Sequence, residues 1–243
     1  MNIDIFLDSP KYKDEVERIS SEFNIKVLTE LPVSKSFFSY RENGLNFFSD
    51  INNPKPLHID FLKGSMGWRL KRSDHETLLK KALGKNTNSL NIFDGTAGLL
   101  SDALIFLALG HNVIACEQST IIFLLVRDAI ERAKEELPYI ENLKLFNGNS
   151  FECFKNQKNI DVIYLDPMYP ESKKNILRSG NIALIKNILE IEMIKDCGDN
   201  IFYEFKESNF KKIILKRPIK AELLDSKFNY QIKGKSTRFD IYI

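Results

Sequence analysis

From about residue 57 onward the chain repeats one pattern: a short apolar run, a turn rich in small residues, then a stretch with helical spacing. A chain written this way has few solutions, because strands that alternate with helices pair side by side in a mostly parallel sheet with right-handed crossovers. The spacing predicts strands over 90–94, 112–117, 143–146 and 162–165. It predicts helices over 74–83, from the glycine turn at 95–98 to 109, over 121–136 and over 182–195. The tail from 202 to 243 reads as two or three antiparallel strands, of which 212–215 and 238–243 are clearest. The start of the chain differs. It reads as a strand (2–7), a helix (13–22), a strand (26–30) and a hairpin (37–40 with 45–49) closed by Asn43-Gly44. Asn52-Asn53-Pro54-Lys55-Pro56 interrupts that pattern. The expected organisation is a small N-terminal α+β subdomain (1–53) followed by an α/β domain (54–243), long enough at 243 residues to bury a full core.

Several classes are excluded by what the chain lacks. The run Ile121 to Val126 ends at Arg127, far short of the eighteen or so apolar residues that a membrane span needs. The N-terminus has no basic stretch ahead of an apolar core and does not read as a signal peptide, so a cytoplasmic protein that does not enter a membrane is expected. Cys116, Cys153 and Cys197 are far apart and odd in number, which argues for reduced thiols. Cys116 falls in a predicted central strand and reads as a small buried hydrophobe. His58, His75 and His111 lack ligand spacing, so no metal is expected. The formal net charge of +2 is too small to identify a nucleic-acid binder, but the basic residues are clustered. Lys63, Arg69, Lys71 and Arg72 surround Trp68. Lys206, Lys211, Lys212, Lys216, Arg217 and Lys220 follow, and Lys227, Lys233, Lys235 and Arg238 lie near the end.

The turn Asp94-Gly95-Thr96-Ala97-Gly98-Leu99 joins a buried strand to a helix, and its small residues let a ligand approach the backbone. It is not a Gly-x-Gly-x-x-Gly dinucleotide fingerprint. The next strand ends in Glu117, placed to accept hydrogen bonds from ribose hydroxyls. Acidic Asp94 and Asp102 near the turn would oppose a phosphate and suit the cationic, phosphate-free S-adenosylmethionine (SAM). Asp102 can equally be a first-turn acid favoured by the helix dipole, and Ser101 an N-cap. Asn149-Ser150 can meet an adenine edge or cap the following helix.

The sharpest motif is Val162-Ile163-Tyr164-Leu165-Asp166-Pro167-Met168-Tyr169-Pro170. An apolar strand ends in Asp-Pro-x-Tyr where open α/β sheets bind ligands, and this resembles the Asp/Asn-Pro-Pro-Tyr motif of amino-group methyltransferases. An exocyclic NH2 is a poor nucleophile because its lone pair is delocalised into the ring. The Asp166 carboxylate and the Pro167 carbonyl can each accept one N–H and aim the lone pair, while Tyr169 stacks the extruded base.

Beyond single motifs, the region from Leu57 to the C-terminus resembles the bacterial family that methylates a guanine N2 near the 3′ end of small-subunit (16S) ribosomal RNA. The matching elements, in order, are His58-Ile59-Asp60-Phe61, the stretch 67–72, Asp94 to Leu99, Asp102-Ala103, Glu117, Tyr164 to Pro170, Leu215-Lys216-Arg217-Pro218 and Arg238-Phe239-Asp240-Ile241-Tyr242. The resemblance implies a Rossmann-like class I SAM-dependent methyltransferase fold. It implies cofactor contacts at Ser101, Asp102, Glu117, Gln118, Asn149, Ser150 and Asp166, beside the turn residues Asp94, Gly95, Thr96 and Gly98. It implies 16S rRNA or the small ribosomal subunit as partner, with Arg69, Lys71, Arg72, Lys216 and Arg217 expected on RNA phosphates. The chain departs from the family's Gly-Leu-Gly-Arg-Asp at Leu100-Ser101, losing an arginine contact. Two alternatives remain at this stage: adenine N6 or another amine on the same scaffold, and a non-catalytic RNA-binding assembly protein.

Overall fold

The computed structural model describes residues 3–32, 36–50, 55–84, 88–167, 180–194 and 198–243. In the large sheet, strands β5 (Asn91–Asp94), β6 (Asn112–Glu117), β7 (Leu143–Asn147), β8 (Val162–Leu165), β9 (Ile213–Pro218), β10 (Tyr230–Lys233) and β11 (Thr237–Tyr242) are ordered β10-β11-β9-β8-β5-β6-β7. The pairs β5–β6, β6–β7, β5–β8 and β8–β9 are parallel, while β11 runs antiparallel between β9 and β10. The chain leaves β5 in one direction toward β7 and returns on the other side through β8. The order therefore reverses between β5 and β8, where open α/β sheets bind ligands.

Strand alternation sorts the core onto two faces. On one face Ile92, Ala115, Val162 and Tyr164 pack with helices α4 (Ala103–Ala108) and α5 (Thr120–Ala133). On the other, Phe93, Cys116, Ile163 and Leu165 pack against Phe202 and Phe205 of helix α8 (Asn200–Lys206) and touch Phe154 of α6 (Ser150–Lys155). Cys116 is 2% exposed, the small buried hydrophobe its position suggested. Residues 202–206 were expected to open the antiparallel tail but belong to α8, since Phe202 and Phe205 stand one helical turn apart and bury on the same face.

The N-terminal segment forms a second sheet, ordered β2-β1-β3-β4, from β1 (Asp4–Phe6), β2 (Val27–Leu28), β3 (Phe37–Arg41) and β4 (Gly44–Phe48), with α1 (Lys13–Phe23) packed on it. The Asn43-Gly44 hairpin forms as read. This sheet is tied to the larger one. Asp128 of α5 accepts from Leu45 N at 3.0 Å, Arg132 donates to the Ile59 carbonyl, and one apolar core runs through both. The expected boundary at 53/54 falls outside the described residues. The helix expected over 74–83 is a 3-10 turn (Ser73–His75) followed by α3 (Thr77–Leu83), and α2 (Gly64–Leu70) precedes it. Helix α7 (Gly180–Ile191) crosses above the sheet's carboxyl edge, with Ile185 and Leu189 facing the cavity there. Among the described residues no helix is long and apolar enough to cross a membrane.

Candidate active site

A cavity of about 650 Å³ opens at the carboxyl ends of β5, β6 and β8. Asp94, Gly95, Thr96, Gly98, Ser101, Asp102, Glu117, Gln118, Asn149, Ser150, Asp166 and Pro167 all line it. Tyr169, expected to stack the base, lies outside the described residues.

The floor is the β5 turn. Gly95 sits where an added Cβ would meet Leu165 at 3.0 Å and Phe205 at 3.2 Å, so no larger residue fits without displacing the core. Asp94 Oδ1 accepts from Thr96 N at 3.0 Å, and Thr96 Oγ1 accepts from Asp166 N at 2.7 Å, which ties the β5 turn to the β8 end. Gly98 and Leu100 both take left-handed backbone, with φ of 49° and 58°. In Leu100 this conformation costs about 1 kcal/mol. Its side chain is fully buried, a gain of about 2 kcal/mol, so the departure from glycine is tolerated locally.

Glu117 is 8% exposed. Its Oε2 accepts from Gly98 N at 2.8 Å and its Oε1 from Ser119 N at 2.7 Å. Burial nonetheless pushes its carboxyl up to about 7, against those two donors. Asp94, 2% exposed, is pushed up to about 7 for the same reason, with Asp102 and Asp166 nearby adding to the shift.

A charged network crosses the mouth. Asp102 Oδ2 accepts from Tyr164 Oη at 2.5 Å and Lys216 Nζ at 2.7 Å, while Oδ1 accepts from Arg69 Nη2 at 2.7 Å. Lys216 also reaches Asp166 Oδ2 at 2.8 Å. The register explains that bridge: Leu165 pairs with Leu215, so Asp166, just past the end of β8, lies beside Lys216 within the longer β9. Two cations and a hydroxyl hold Asp102 below the usual carboxylate range despite burial, and the two carboxylates hold Lys216 above the usual ammonium value. Asp166 keeps 40% of its side chain exposed, yet burial of the carboxyl raises it above the ordinary value against the pull of Lys216. Its Oδ1 has no donor among the described residues.

The structure revises several expectations. Ser101 is not an N-cap; Asp102 holds that position without a side-chain cap bond, and the Ser101 carbonyl accepts from Arg69 Nη1 at 2.9 Å. Asp102 is an ion-pair hub rather than a simple first-turn acid. Asn149 does cap its helix, accepting from Glu152 N at 2.9 Å. Three cations expected on RNA phosphates are engaged internally. Arg69 grips Glu76, Asp102 and Ser101, Lys216 bridges two carboxylates, and Arg217, 1% exposed, pairs with Asp199. Arg238 is buried too, binding Asp240 and the Pro218, Ile219 and Ala221 carbonyls. Lys71 and Arg72 are exposed. Sequence reasoning missed Tyr164 as a ligand of Asp102. It also missed Glu192, whose carboxylate accepts from Thr120 N and Ile121 N (2.9 and 3.2 Å) and from Ser119 Oγ, tethering the segment after α7 to the β6 end.

A family model described as "Putative SAM-dependent methyltransferase" matches residues 23–243. The chain belongs to the SAM-dependent methyltransferase family. Two similar proteins are each named Ribosomal RNA small subunit methyltransferase J. One, from Desulfotalea psychrophila, is 32% identical over 202 residues, covering 80% of this chain and 76% of that protein. The other, from Hahella chejuensis, is 29% identical, covering 94% and 90%. The crystal structure of a SAM-dependent methyltransferase from Neisseria gonorrhoeae aligns with a TM-score of 0.73 at 25% identity, over 99% of this chain and 95% of that one. The methyltransferase therefore has SAM as its cofactor, and the cavity fits it. Five acidic side chains (Asp94, Asp102, Glu117, Asp166 and Glu204) against Arg69, Lys216 and Arg217 favour a cationic ligand, and Ile122, Ile185 and Leu189 form an apolar wall.

Proposed function

We propose that this methyltransferase methylates the exocyclic N2 of a guanine in small-subunit (16S) ribosomal RNA. The observation that carries the reaction type is the position of Asp166 and Pro167: adjacent acceptors at the end of β8, inside the cavity and beside the switch point. The substrate class comes from the relatives' name, Ribosomal RNA small subunit methyltransferase J.

SAM, when bound, would supply a methyl group on a sulfonium, whose neutral thioether (S-adenosylhomocysteine) leaves without activation as the S–CH3 bond breaks. Glu117 would hold the ribose hydroxyls, and Asp94 and Asp102 would complement the cofactor's positive charges. Lys216 fixes Asp166 through Oδ2, which leaves Oδ1 for the target amine. One amine N–H goes to Oδ1 and the other to the Pro167 carbonyl, so the lone pair points along the line of attack. As the new N–C bond forms, the nitrogen gains positive charge and sheds a proton. Asp166 Oδ1 is the acceptor, and its raised basicity suits that task. Tyr169 would stack the base.

The test is transfer of labelled methyl from SAM to small-subunit ribosomal RNA and to small-subunit particles, followed by nucleoside analysis. The reading expects N2-methylguanosine from the wild type and none from Asp166→Ala. N6-methyladenosine as the product would move the reaction to another amine. SAM binding without transfer to any RNA would leave a non-catalytic RNA-binding protein.

A further inference from the structure

Trp68 is the only tryptophan in the chain, and on α2 it keeps 63% of its surface exposed. An indole in that position adds little to the core, and tryptophan is a residue type enriched at contact surfaces. Its visible ring partner is Arg72, whose guanidinium lies 4.9 Å from the ring centroid. Arg72 follows the end of α2 by two residues and folds back over the ring. The acids of this segment are already engaged: Asp60 with Lys63, Asp74 with Lys80 and Glu76 with Arg69. Among the described residues no carboxylate pairs with Lys71 or Arg72, so the aromatic patch carries uncompensated positive charge. Its location is fixed as well. Arg69, the next residue after Trp68, reaches into the cavity and bonds Ser101 and Asp102. Trp68, Lys71 and Arg72 do not line the cavity themselves; they flank Arg69, which does, so the platform lies on the segment that borders the site holding Asp166.

An exposed indole, a guanidinium stacked on it and a free lysine match the chemistry of an unpaired nucleobase with its phosphate. Base–aromatic stacking tolerates any base, and the cations meet the backbone. We propose that Trp68 and Arg72 form a stacking platform for an unpaired base flanking the one presented to Asp166, with Lys71 on an adjoining phosphate. This rests on reading the site as an RNA-base methyltransferase. It gives α2 and the turn after it two tasks: Arg69 braces the cavity from within, and Trp68, Lys71 and Arg72 hold the strand outside.

With a single tryptophan, indole fluorescence of the whole SAM-bound protein reports on this position alone. Titration with a short unstructured RNA should quench it at lower concentration than the same sequence annealed to its complement. By anisotropy of labelled RNA, Trp68→Ala should weaken binding about tenfold and Trp68→Phe should restore most of it. The SAM Kd, measured by calorimetry, should be unchanged in both. Fluorescence that stays constant at saturating RNA, or equal RNA affinity in Trp68→Ala, overturns the platform; a surface built for a protein partner would give that result. Methyl transfer in the same preparations keeps the two readings apart. Normal transfer by Trp68→Ala with unchanged RNA KM removes the platform alone, whereas quenching without transfer to any RNA removes the RNA-methylating reading and leaves the platform standing.

Discussion

In the small sheet, Phe37 stacks on Phe48 with centroids 4.8 Å apart and Phe38 packs on Phe47 at 5.3 Å, while at the carboxyl edge of the large sheet equally buried positions hold Asp94, Asp102 and Glu117. The first arrangement removes apolar surface from water and stabilises the fold by about 2 kcal/mol per large side chain. The second does the opposite for two of its three acids, because burial raises Asp94 and Glu117 and thereby disfavours their ionised forms. One protein thus carries a region optimised for packing and a region held under electrostatic tension. That tension is relieved only where a cation is supplied, as Lys216 and Arg69 do for Asp102. Neither Asp94 nor Glu117 forms an ion pair among the described residues, although Lys216 acts on Asp94 from a distance, and a cationic ligand would provide a direct partner.

Substitutions in the two regions should separate cleanly. Asp166→Ala should lower kcat by a thousandfold or more, the scale of losing a positioned base, and shift Tm little because the side chain is partly exposed. A purified variant with unchanged turnover would break the contrast. Phe47→Ala in the small sheet should do the reverse, costing about 3–5 kcal/mol in denaturant unfolding while the folded fraction binds SAM normally. Lys216→Met sits between these extremes. Losing the clamp on Oδ2 should cost about a hundredfold in kcat with a smaller change in RNA KM, since a misplaced acceptor hurts attack more than binding. A loss confined to KM would make Lys216 a substrate contact instead.

The smallest effect is pH dependence. Asp94 and Glu117 have folded values above their ordinary ones, so the cofactor-free protein gives up stability as pH rises from about 4 through about 7. Ionisation favours a cationic ligand over the upper part of that window. The SAM Kd should therefore fall about tenfold between pH 6 and 8. Asp94→Asn should flatten part of that slope in calorimetry, and a pH-independent Kd in the wild type would contradict the assignment of tension to these groups.

Much of this was readable from the sequence where a local signal was enough. The strands Asn112–Glu117 and Val162–Leu165 match their expected bounds end to end, because each is an apolar run stopped by a polar or turn residue. The expected cofactor residues all converge on one cavity, since the carboxyl edge of a parallel sheet gathers whatever follows its strands. What failed depended on tertiary pairing. The roles of Lys216 and Arg69 follow from the β8–β9 register and from the docking of α2 on Ser101 and Asp102, neither of which has a sequence period. Arg217 and Arg238 look like solvated strand ends until the 218–222 turn and Asp199 are folded over them. Helix α8 was hidden because Asn200-Ile201-Phe202-Tyr203-Glu204-Phe205 is rich in strand-favouring aromatics, and burial against Phe93 and Tyr242 overrode that preference.

The central claim is that the tense end of the sheet is an amine-methylating site run by Asp166. The most direct test is mass-spectrometric mapping of modified nucleosides in ribosomal RNA from cells lacking this gene, complemented with wild type or with Asp166→Ala. The account predicts that one N2-methylguanosine in the small-subunit RNA disappears, returns with wild type and stays absent with Asp166→Ala. Full restoration of that nucleoside by Asp166→Ala, or an RNA profile unchanged by loss of the gene, would contradict it.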